Sequence, residues 1–228
     1  MPKVNKQLGG DGDDVVLHID YPARPRKEPR QARSIAMVNA LRQTGRRILE
    51  EEGRDALTLF NLSESSGVST SSIYEYFPSM EALIAVIFED LRQEARVELL
   101  SGLAALAPSA RLYDGLLFSI RLGLKTHCKR LQLAPDFCVR AACFDELVRL
   151  DLVKAQQVWT ACVAPALLER FPDEVCVQDT QKAMFLAYQT LILLPRAMLL
   201  ENPDYLHEEG TAELITRMVH ALLTQPSH

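Results

Sequence analysis

Apolar residues recur at steps of three and four along most of the chain after residue 33, a period that predicts α-helices and no β-strand. The first run ends at Gly53, and a second run over residues 59–66 follows Thr58, whose hydroxyl suits a helix N-cap. A longer run begins at Met80. The positions that recur at helical spacing in these runs are Val38, Leu41, Gly45, Ile48, Leu49, Glu52, Leu59, Leu62, Ser63, Met80, Leu83, Ile84, Ile87, Phe88, Leu91 and Ala95.

Residues 67–79, which lie between the second run and the longer one, are the most informative segment. Gly67 allows the positive φ of a sharp turn, and Ser69 is a good N-cap for the short helix that follows. Two helices joined by such a turn form a helix-turn-helix unit, whose second helix enters the major groove of DNA. The sequence therefore predicts a small three-helix domain in front of the helix that begins at Met80.

The outward side of the second helix of this unit carries small hydroxyls and tyrosines, which suit contact with DNA. Short hydroxyls approach base edges closely, whereas phenol groups reach the sugar-phosphate backbone. Thr58 offers phosphate both its hydroxyl and a helix amino terminus. Ile73 and Phe77 are predicted to be core residues, and Tyr76 to serve both the core and the DNA. The predicted DNA-binding residues are Thr58, Ser69, Thr70, Ser71, Ser72, Tyr74 and Tyr76.

A longer pattern, T-x-x-x-I-A-x-x-A-G-V-S-x-x-x-[LIF]-Y-x-[YH]-F-x-x-K-x-x-L, runs through this region. Its matching residues are Gly53, Ala56, Thr58, Leu62, Gly67, Val68, Ser69, Ile73, Tyr74, Tyr76, Phe77, Pro78, Glu81, Ala82 and Leu83. Over residues 33–91 the chain thus resembles the TetR/AcrR family of one-component bacterial transcriptional regulators. It departs from the family pattern at Ser63 and Ser66, which replace alanines, and at Met80, which replaces a phosphate-contacting lysine. The resemblance implies a helical body with an effector pocket and a second subunit paired through the last two helices.

Beyond residue 100 the helical blocks are broken at Pro108, Pro135, residues 171–173 and residues 202–204. Blocks of this length, rich in Leu and Ala, predict a bundle of about five helices. The predicted fold class is all-α. Its predicted parts are a flexible tail at 1–32 with a basic second half, a helix-turn-helix DNA-binding domain at 33–80 (TetR-type region about 35–95), and a helical effector-binding and dimerisation domain at 81–228.

The last two helices have broad apolar faces, which favour a homodimer. Their apolar positions are Met184, Tyr188, Leu191, Ile192, Pro195, Leu199, Leu214, Ile215, Met218, Val219 and Leu222. Packing inside one subunit is the alternative explanation of these faces. A two-fold dimer would let two recognition helices bind the half-sites of a palindromic operator about 34 Å apart.

A mainly apolar pocket in the body is expected to bind a hydrophobic or amphipathic small molecule. Each candidate has an alternative explanation, as a core residue or as a solvated side chain. His127 is a further candidate polar anchor, and Pro195 frees a backbone carbonyl within its helix. The predicted ligand-binding residues are Phe118, Arg121, Leu122, Trp159, Cys162, Phe185, Tyr188 and Gln189.

The net charge of −5 is unevenly distributed. Residues 24–47 contain eight basic residues against Glu28 alone, a local net charge of +7 on an otherwise acidic chain. Such an asymmetry lets one region meet phosphate, whereas a non-specific DNA-packaging protein would carry basic charge over its whole surface. The segment from Arg24 to Arg30 is either an arm that lies in the minor groove or a solvated linker.

Other function classes find little support in the sequence. There is no HExxH, GxSxG or Gly-rich phosphate loop, so the chain is predicted not to be an enzyme and to need no cofactor or metal. Five cysteines without a CxxC pair favour buried reduced thiols, with a redox sensor as the alternative. They are Cys128, Cys138, Cys143, Cys162 and Cys176. The absence of a long unbroken apolar run predicts a cytoplasmic protein without membrane contact. The predicted function is a repressor released from its operator by a ligand; a ligand-independent or activating regulator is the alternative.

Overall fold

The computed structural model describes residues 29–138, 157 and 159–225, and all regular secondary structure within these residues is helical. The all-α prediction is therefore confirmed. Two short 3-10 turns, Arg54–Ala56 and Pro203–Leu206, and a π-helical turn, Trp159–Val163, accompany the α-helices. These helices are α1 (Ala32–Glu51), α2 (Leu59–Ser66), α3 (Thr70–Tyr76), α4 (Met80–Ala105), α5 (Leu112–Leu133), α6 (Ala164–Arg170), α7 (Thr180–Glu201) and α8 (Thr211–Thr224).

The helix boundaries agree with the breaks read from the sequence. The second helix spans Leu59–Ser66 and the longer one begins at Met80, as predicted. Helices α4, α5, α6 and α7 all end shortly before the proline-containing segments, because a proline cannot donate the next helical hydrogen bond. The predictions for the tail at residues 1–28 and for Cys143 lie outside the residues that the structure describes. Of the other four cysteines only Cys138 is buried, and Cys176 is exposed, so the prediction of buried thiols is confirmed for Cys138 alone.

The first hydrophobic core lies among α1, α2, α3 and the first half of α4. Helix α1 crosses α4 closely at Gly45, where an added Cβ would lie 2.8 Å from Leu83 Cδ2. Along the same crossing, Arg42 forms an ion pair with Asp90, and Arg46 with Glu94. A larger side chain at residue 45 would require the buried Leu83 side chain to shift, which favours glycine in the middle of α1.

The second core is formed by α5, α6, α7, α8 and the end of α4. In this core α5 approaches the segment after α6 at Gly115, where an added Cβ would lie 2.8 Å from a ring carbon of Phe171. On the outer side, Arg121 of α5 forms an ion pair with Glu213 of α8. These contacts place α8 against α5, and α7 packs beside α8.

Helix α4 belongs to both cores, since six of its residues are buried in the first and Leu103 in the second. The six are Ala82, Leu83, Ile84, Ile87, Phe88 and Leu91. Leu133 at the end of α5 and Phe137 in the segment after it also belong to the first core. The ring of Phe137 contacts that of Phe88 edge-on, with 5.5 Å between the centroids. Packing thus continues across the boundary predicted between residues 80 and 81. A shift in α5 therefore reaches the three-helix domain directly.

Candidate nucleic-acid interface and internal cavity

Hydrogen bonds from two serines stabilise the turn between α2 and α3. Gly67 ends α2 with φ of 68°, a conformation that glycine adopts without strain. Ser63 Oγ donates to the Val68 carbonyl (2.8 Å), and Ser66 Oγ donates to the Leu62 carbonyl (2.6 Å) and accepts from the Val68 N–H (3.3 Å). The two serines that replace alanines in the family pattern thus stabilise the end of α2 and the backbone of the turn at Val68.

The amino termini of α2 and α3 are capped as the sequence predicted. Thr58 accepts a hydrogen bond from the Asn61 N–H (3.1 Å), and Ser69 accepts one from the Ser72 N–H (3.3 Å). The Ser69 hydroxyl also lies 3.1 Å from that of Ser71 and 3.0 Å from that of Ser72. These hydroxyls form one small cluster at the exposed start of α3.

Ile73 lies on the inner face of α3 and Phe77 directly follows the helix. They are 0% and 1% exposed, which confirms the prediction that they are core residues. Tyr76 is only 7% exposed and lies in the same core. Its predicted contact with phosphate is therefore not supported, because residue 76 falls three positions after Ile73 on the inward side of the helix. The outer face presents Thr70, Ser71 and Tyr74, and Ser72 is half-buried beside them.

Phe60, on α2, is 71% exposed, which is unusual for a large apolar side chain. It lies two residues after Thr58, close in sequence to the exposed start of α2. The prediction from sequence omitted it because only hydroxyl and phenol groups were considered for DNA contacts. Its position outside the inward stripe of α2 was the available signal, since an apolar residue there has no partner within the domain.

Most of the positive charge expected around the helix-turn-helix unit is neutralised by carboxylates of the same protein. Residues 29–79 contain six arginines and six carboxylates, so their net charge is zero. Four of the arginines form ion pairs with carboxylates of α1 and α4, whereas the exposed Arg30 and Arg33 lie around the start of α1. The ion pairs are Arg42 with Asp90, Arg46 with Glu50 and Glu94, Arg47 with Glu51 and Glu52, and Arg54 with Glu81.

A cavity of about 280 Å³ lies in the body between α4, α5 and α7. Most of its wall is apolar, and the rings of Trp159 and Tyr188 lie side by side in it with centroids 6.2 Å apart. Leu99 of α4, Ile120 of α5 and Ile215 of α8 complete this apolar part. The volume is just below the range of about 300–1,000 Å³ that is typical of ligand pockets.

Five basic side chains line another part of the same cavity: Arg92, Arg96, His127, Arg130 and Arg196. Burial lowers the pKa of His127 to about 3, and the positive charges of Arg130, Arg196 and Arg92 act in the same direction. His127 is therefore neutral at pH 7. The prediction from sequence named His127 but none of the four arginines.

The structure brings some of the predicted ligand-binding residues together. Leu122, Trp159 and Tyr188 line the cavity, as does His127. The other predicted residues lie elsewhere. Phe118 packs against Gly102 where α4 meets α5, and Arg121 is on the outer side of α5, paired with Glu213. The remaining ones are Phe185, which is exposed on α7, and Cys162 and Gln189, which are half-buried away from the cavity wall.

Pro195 lies inside α7 and lines the cavity, as does Leu191 one turn earlier. Because proline has no N–H, the Leu191 carbonyl receives no hydrogen bond from residue 195. This arrangement places a backbone acceptor beside the arginine-lined part of the cavity, where it can take a hydrogen bond from a donor.

Helices α7 and α8 expose an apolar patch, defined by Phe185, Leu186, Leu193, Leu200, Leu214 and Met218. Leu186, Leu193 and Leu200 follow each other at seven-residue steps and so form one stripe along α7. Leu214 and Met218 were predicted from the sequence as dimer contacts. The positions predicted on α7, however, lie mainly on its inward side. By length and composition alone, α7 is also the one helix in the described part of the chain that could span a membrane, a criterion that core helices of soluble proteins meet too.

Residues 41–87 match the family model of Bacterial regulatory proteins, tetR family. The matched segment contains the second half of α1, the whole of α2 and α3, and the first two turns of α4. It confirms the resemblance that the helix-turn-helix residues carried, and residues 41–87 are thus similar to the DNA-binding region of a family of transcriptional regulators. No curated protein sequence matches the chain.

Proposed function

We propose that this protein is a dimeric transcriptional repressor that leaves its operator when a small molecule occupies the cavity. The observation that carries the proposal is the short helix α3, held by the bonded turn at Gly67 and exposing Thr70, Ser71 and Tyr74. A helix fixed in this way reads the major groove with little loss of conformational entropy. The protein acts in the cytoplasm and has no catalytic role.

Within the interface, the residues have different tasks. Thr70, Ser71 and Ser72 contact base edges, and Tyr74 donates to a phosphate. Phe60 adds an apolar contact to a sugar or to a thymine methyl group. Thr58 offers phosphate the amino terminus of α2, although its hydroxyl already accepts from the Asn61 N–H.

Tyr74→Phe is expected to weaken binding to every DNA sequence by a similar factor, because it removes only a phosphate contact. At roughly 1 kcal/mol per hydrogen bond and one bond in each subunit, the loss is about 30-fold. Ser71→Ala should instead reduce the preference among operator variants. Fluorescence anisotropy with a panel of single-base operator variants measures both effects.

Two residues outside the interface provide matched controls. Tyr205 has the same 46% exposure as Tyr74 but lies in the turn after α7, so Tyr205→Phe should leave DNA binding unchanged. Ser101 is an exposed serine near the end of α4, which makes Ser101→Ala the control for Ser71→Ala. Equal losses for Tyr74→Phe and Ser71→Ala on all variants would contradict this division of tasks.

Because residues 29–79 have no net charge, most electrostatic attraction to DNA is assigned to the basic arm that precedes them. Replacing Arg24, Arg26 and Lys27 together by Gln should lower the slope of log affinity against log salt by about 0.9 for every phosphate that is no longer neutralised. One such phosphate in each subunit would change the slope by about 2. Replacing Asp11, Asp13 and Asp14 by Asn is the matched control. An unchanged slope in the first variant identifies the arm as a solvated linker.

The apolar patch on α7 and α8 is assigned to a second copy of the chain. Burial of the stripe Leu186, Leu193 and Leu200 against its symmetry mate removes large apolar side chains from water without any change within the subunit. A dimer also places two copies of α3 on one operator, which raises the overall affinity of two individually weak contacts. The operator is accordingly palindromic.

The switch works through α4 and α5, since both line the cavity and both reach the first core. A ligand that fits only one arrangement of these helices changes the separation of the two recognition helices. A coupling of about 1–3 kcal/mol per site is typical of such systems and would change operator occupancy by about 5- to 150-fold.

The proposal is tested by selecting bound sequences from random duplex DNA at near-physiological salt. A palindromic motif is expected, and its sequence would then supply the operator for the measurements above. Binding without any sequence preference would contradict the proposal. If a motif appears but no cavity ligand alters affinity, the protein is a ligand-independent regulator.

A further inference from the structure

We propose that the ligand of the cavity is an amphipathic organic anion, with its carboxylate or phosphate group among the arginines and its apolar tail beside Trp159 and Tyr188. The inference rests on the proposed function, because it names the class of molecule that the regulatory cavity takes. The charge, the polarity and the hydrogen-bonding groups of the cavity wall support it independently.

The charge of the wall is strongly one-sided. The described lining residues include four arginines, and Glu89 is the only carboxylate among them. They therefore carry a net charge of +3 around a cavity of about 280 Å³. The arginines are Arg92, Arg96, Arg130 and Arg196. Glu89 already pairs with Arg92. A surplus of positive charge beside an apolar space attracts an anion and repels a cation.

A buried donor in the wall points to the same chemistry. Arg96 Nε is buried and has no hydrogen-bond acceptor among the residues that the structure describes. Buried donors of this kind are rare in folded proteins, because each loses its bonds to water. Since Nε is a donor, the missing partner is an acceptor, such as an anionic oxygen or an ordered water.

The basic and apolar groups lie at different ends of the cavity. Helices α4 and α5 are antiparallel, with Gly102 against Phe118 at one end and Phe88 beside Arg130 at the other. Arg92, His127, Arg130 and Arg196 are close enough for the three arginines to affect the pKa of His127. Leu99 and Ile120 lie toward the opposite end of the two helices. A molecule with one anionic end and one apolar end matches this division.

A cationic or neutral head group fits the basic end less well. His127 is neutral at pH 7, so it adds no positive charge of its own and can form a hydrogen bond with a ligand oxygen. A cation would be repelled by the arginines, and an uncharged alcohol would form weaker hydrogen bonds with them. The head group therefore determines affinity, whereas the tail fills the apolar end.

Trp159, the only tryptophan in the chain, allows a direct test, since its fluorescence reports on the cavity. The full-length protein is titrated at pH 7.5, below micelle-forming concentrations, with decanoate, decyl phosphate, decanol and decyltrimethylammonium. We expect saturable changes with at least tenfold lower Kd for the two anions than for decanol, and the weakest binding for the cation. Inorganic phosphate alone, at equal ionic strength, should not displace decanoate.

Equal affinity for all head groups, a preference for the cation, or no saturable binding of either anion would overturn the inference. Full competition by inorganic phosphate would show an anion site without a place for the tail and would overturn it as well. The relative affinities of decanoate and decyl phosphate distinguish a carboxylate ligand from a phosphate monoester.

Variants locate the head group. Arg96→Gln and Arg196→Gln should each lower decanoate affinity at least fivefold and leave decanol affinity nearly unchanged. Arg121→Gln is the matched control, because Arg121 lies on α5 but outside the cavity, paired with Glu213. If both variants retain the fold by circular dichroism and the head-group preference, the arginines do not hold the anion.

Measuring operator binding in the same titrations separates this inference from the proposed function. Selective binding of decanoate without release of operator DNA would support the ligand class and contradict the ligand-controlled switch. Release of operator by decanol and decanoate alike, with equal affinity, would support the switch and contradict the anion.

Discussion

Leu214→Glu, alone or together with Met218→Glu, is expected to produce a monomer and to lower operator affinity by at least about 100-fold. In the isolated subunit both side chains are more than half exposed, at 57% and 58%, so a carboxylate there costs little stability. At a two-fold interface each substitution places like charges from both subunits in an apolar contact. Losing the second recognition helix removes an advantage that typically amounts to about 10²–10⁴ in affinity. Analytical ultracentrifugation and operator titration measure the two effects.

Val97→Glu is the matched control for these variants. Val97 on α4 is 59% exposed, nearly the same as Leu214 and Met218, but it lies outside the patch on α7 and α8. It should leave the dimer and the operator affinity unchanged. A wild-type protein that sediments as a monomer at micromolar concentration would contradict the dimer. Wild-type protein that binds to lipid vesicles through the patch, and Leu214→Glu protein that no longer does, would assign the surface to a membrane.

The order and the ends of the helices could be predicted because they depend on local chemistry. Thr58, Gly67 and Ser69 fix the limits of α2 and α3 through bonds within a few residues. The prolines that follow α4 to α7 act equally locally. The family resemblance rests on the same short segment, and for this reason the sequence was sufficient to identify the DNA-binding domain.

The face on which each residue lies was harder to predict. Tyr76 has an amphipathic side chain and was therefore predicted to contact both the core and the DNA. The close packing of α3 on its neighbours leaves it only 7% exposed. Similarly, the arginines of α1 suggest a basic surface until Arg42 and Arg46 are seen to pair with carboxylates of α4, 48 residues away in sequence. Such pairings depend on how two helices cross, which hydrophobic periodicity does not define.

The cavity was the least predictable feature, because it is a gap between helices rather than a property of one of them. Periodicity marks the inward side of α5, yet both Arg121 and Arg130 lie on the same helix and only Arg130 lines the gap. Four arginines from three helices meet only after folding. Their number in the sequence, among 25 basic residues, gives no indication of that convergence.

Phe88→Ala is expected to lower the free energy of unfolding by about 3–5 kcal/mol, the usual cost of truncating a buried phenylalanine. Phe88 is 1% exposed, its ring meets Phe137 edge-on, and Arg130 Cζ lies 5.0 Å from its centroid. The substitution therefore removes packing within the first core and between that core and α5. Urea unfolding followed by circular dichroism measures the decrease. A decrease below about 1 kcal/mol would mean that the site relaxes to fill the space.

The position of Phe88 also gives it a role in the proposed switch. A milder substitution separates this role from the contribution of Phe88 to stability. Arg130 lines the cavity and its guanidinium group lies over the Phe88 ring, so an anion that draws Arg130 toward it alters a contact with the DNA-binding domain. Phe88→Leu keeps most of the volume and should cost less than about 1.5 kcal/mol. It should leave decanoate and operator binding nearly intact but reduce their mutual effect by up to about tenfold.

Phe171→Leu is the control for that experiment, because Phe171 is a buried phenylalanine of the second core with Arg170 Cζ 5.9 Å from its ring centroid. Arg170 does not line the cavity, so the control removes a similar aromatic interaction that is not adjacent to the ligand. If Phe88→Leu leaves the mutual effect of decanoate and operator binding undiminished, that effect depends on another contact of α4. The crossing of α1 and α4 beside Gly45 is an example. Diminished coupling in both variants would indicate that overall stability, rather than the contact between Arg130 and Phe88, sets the response.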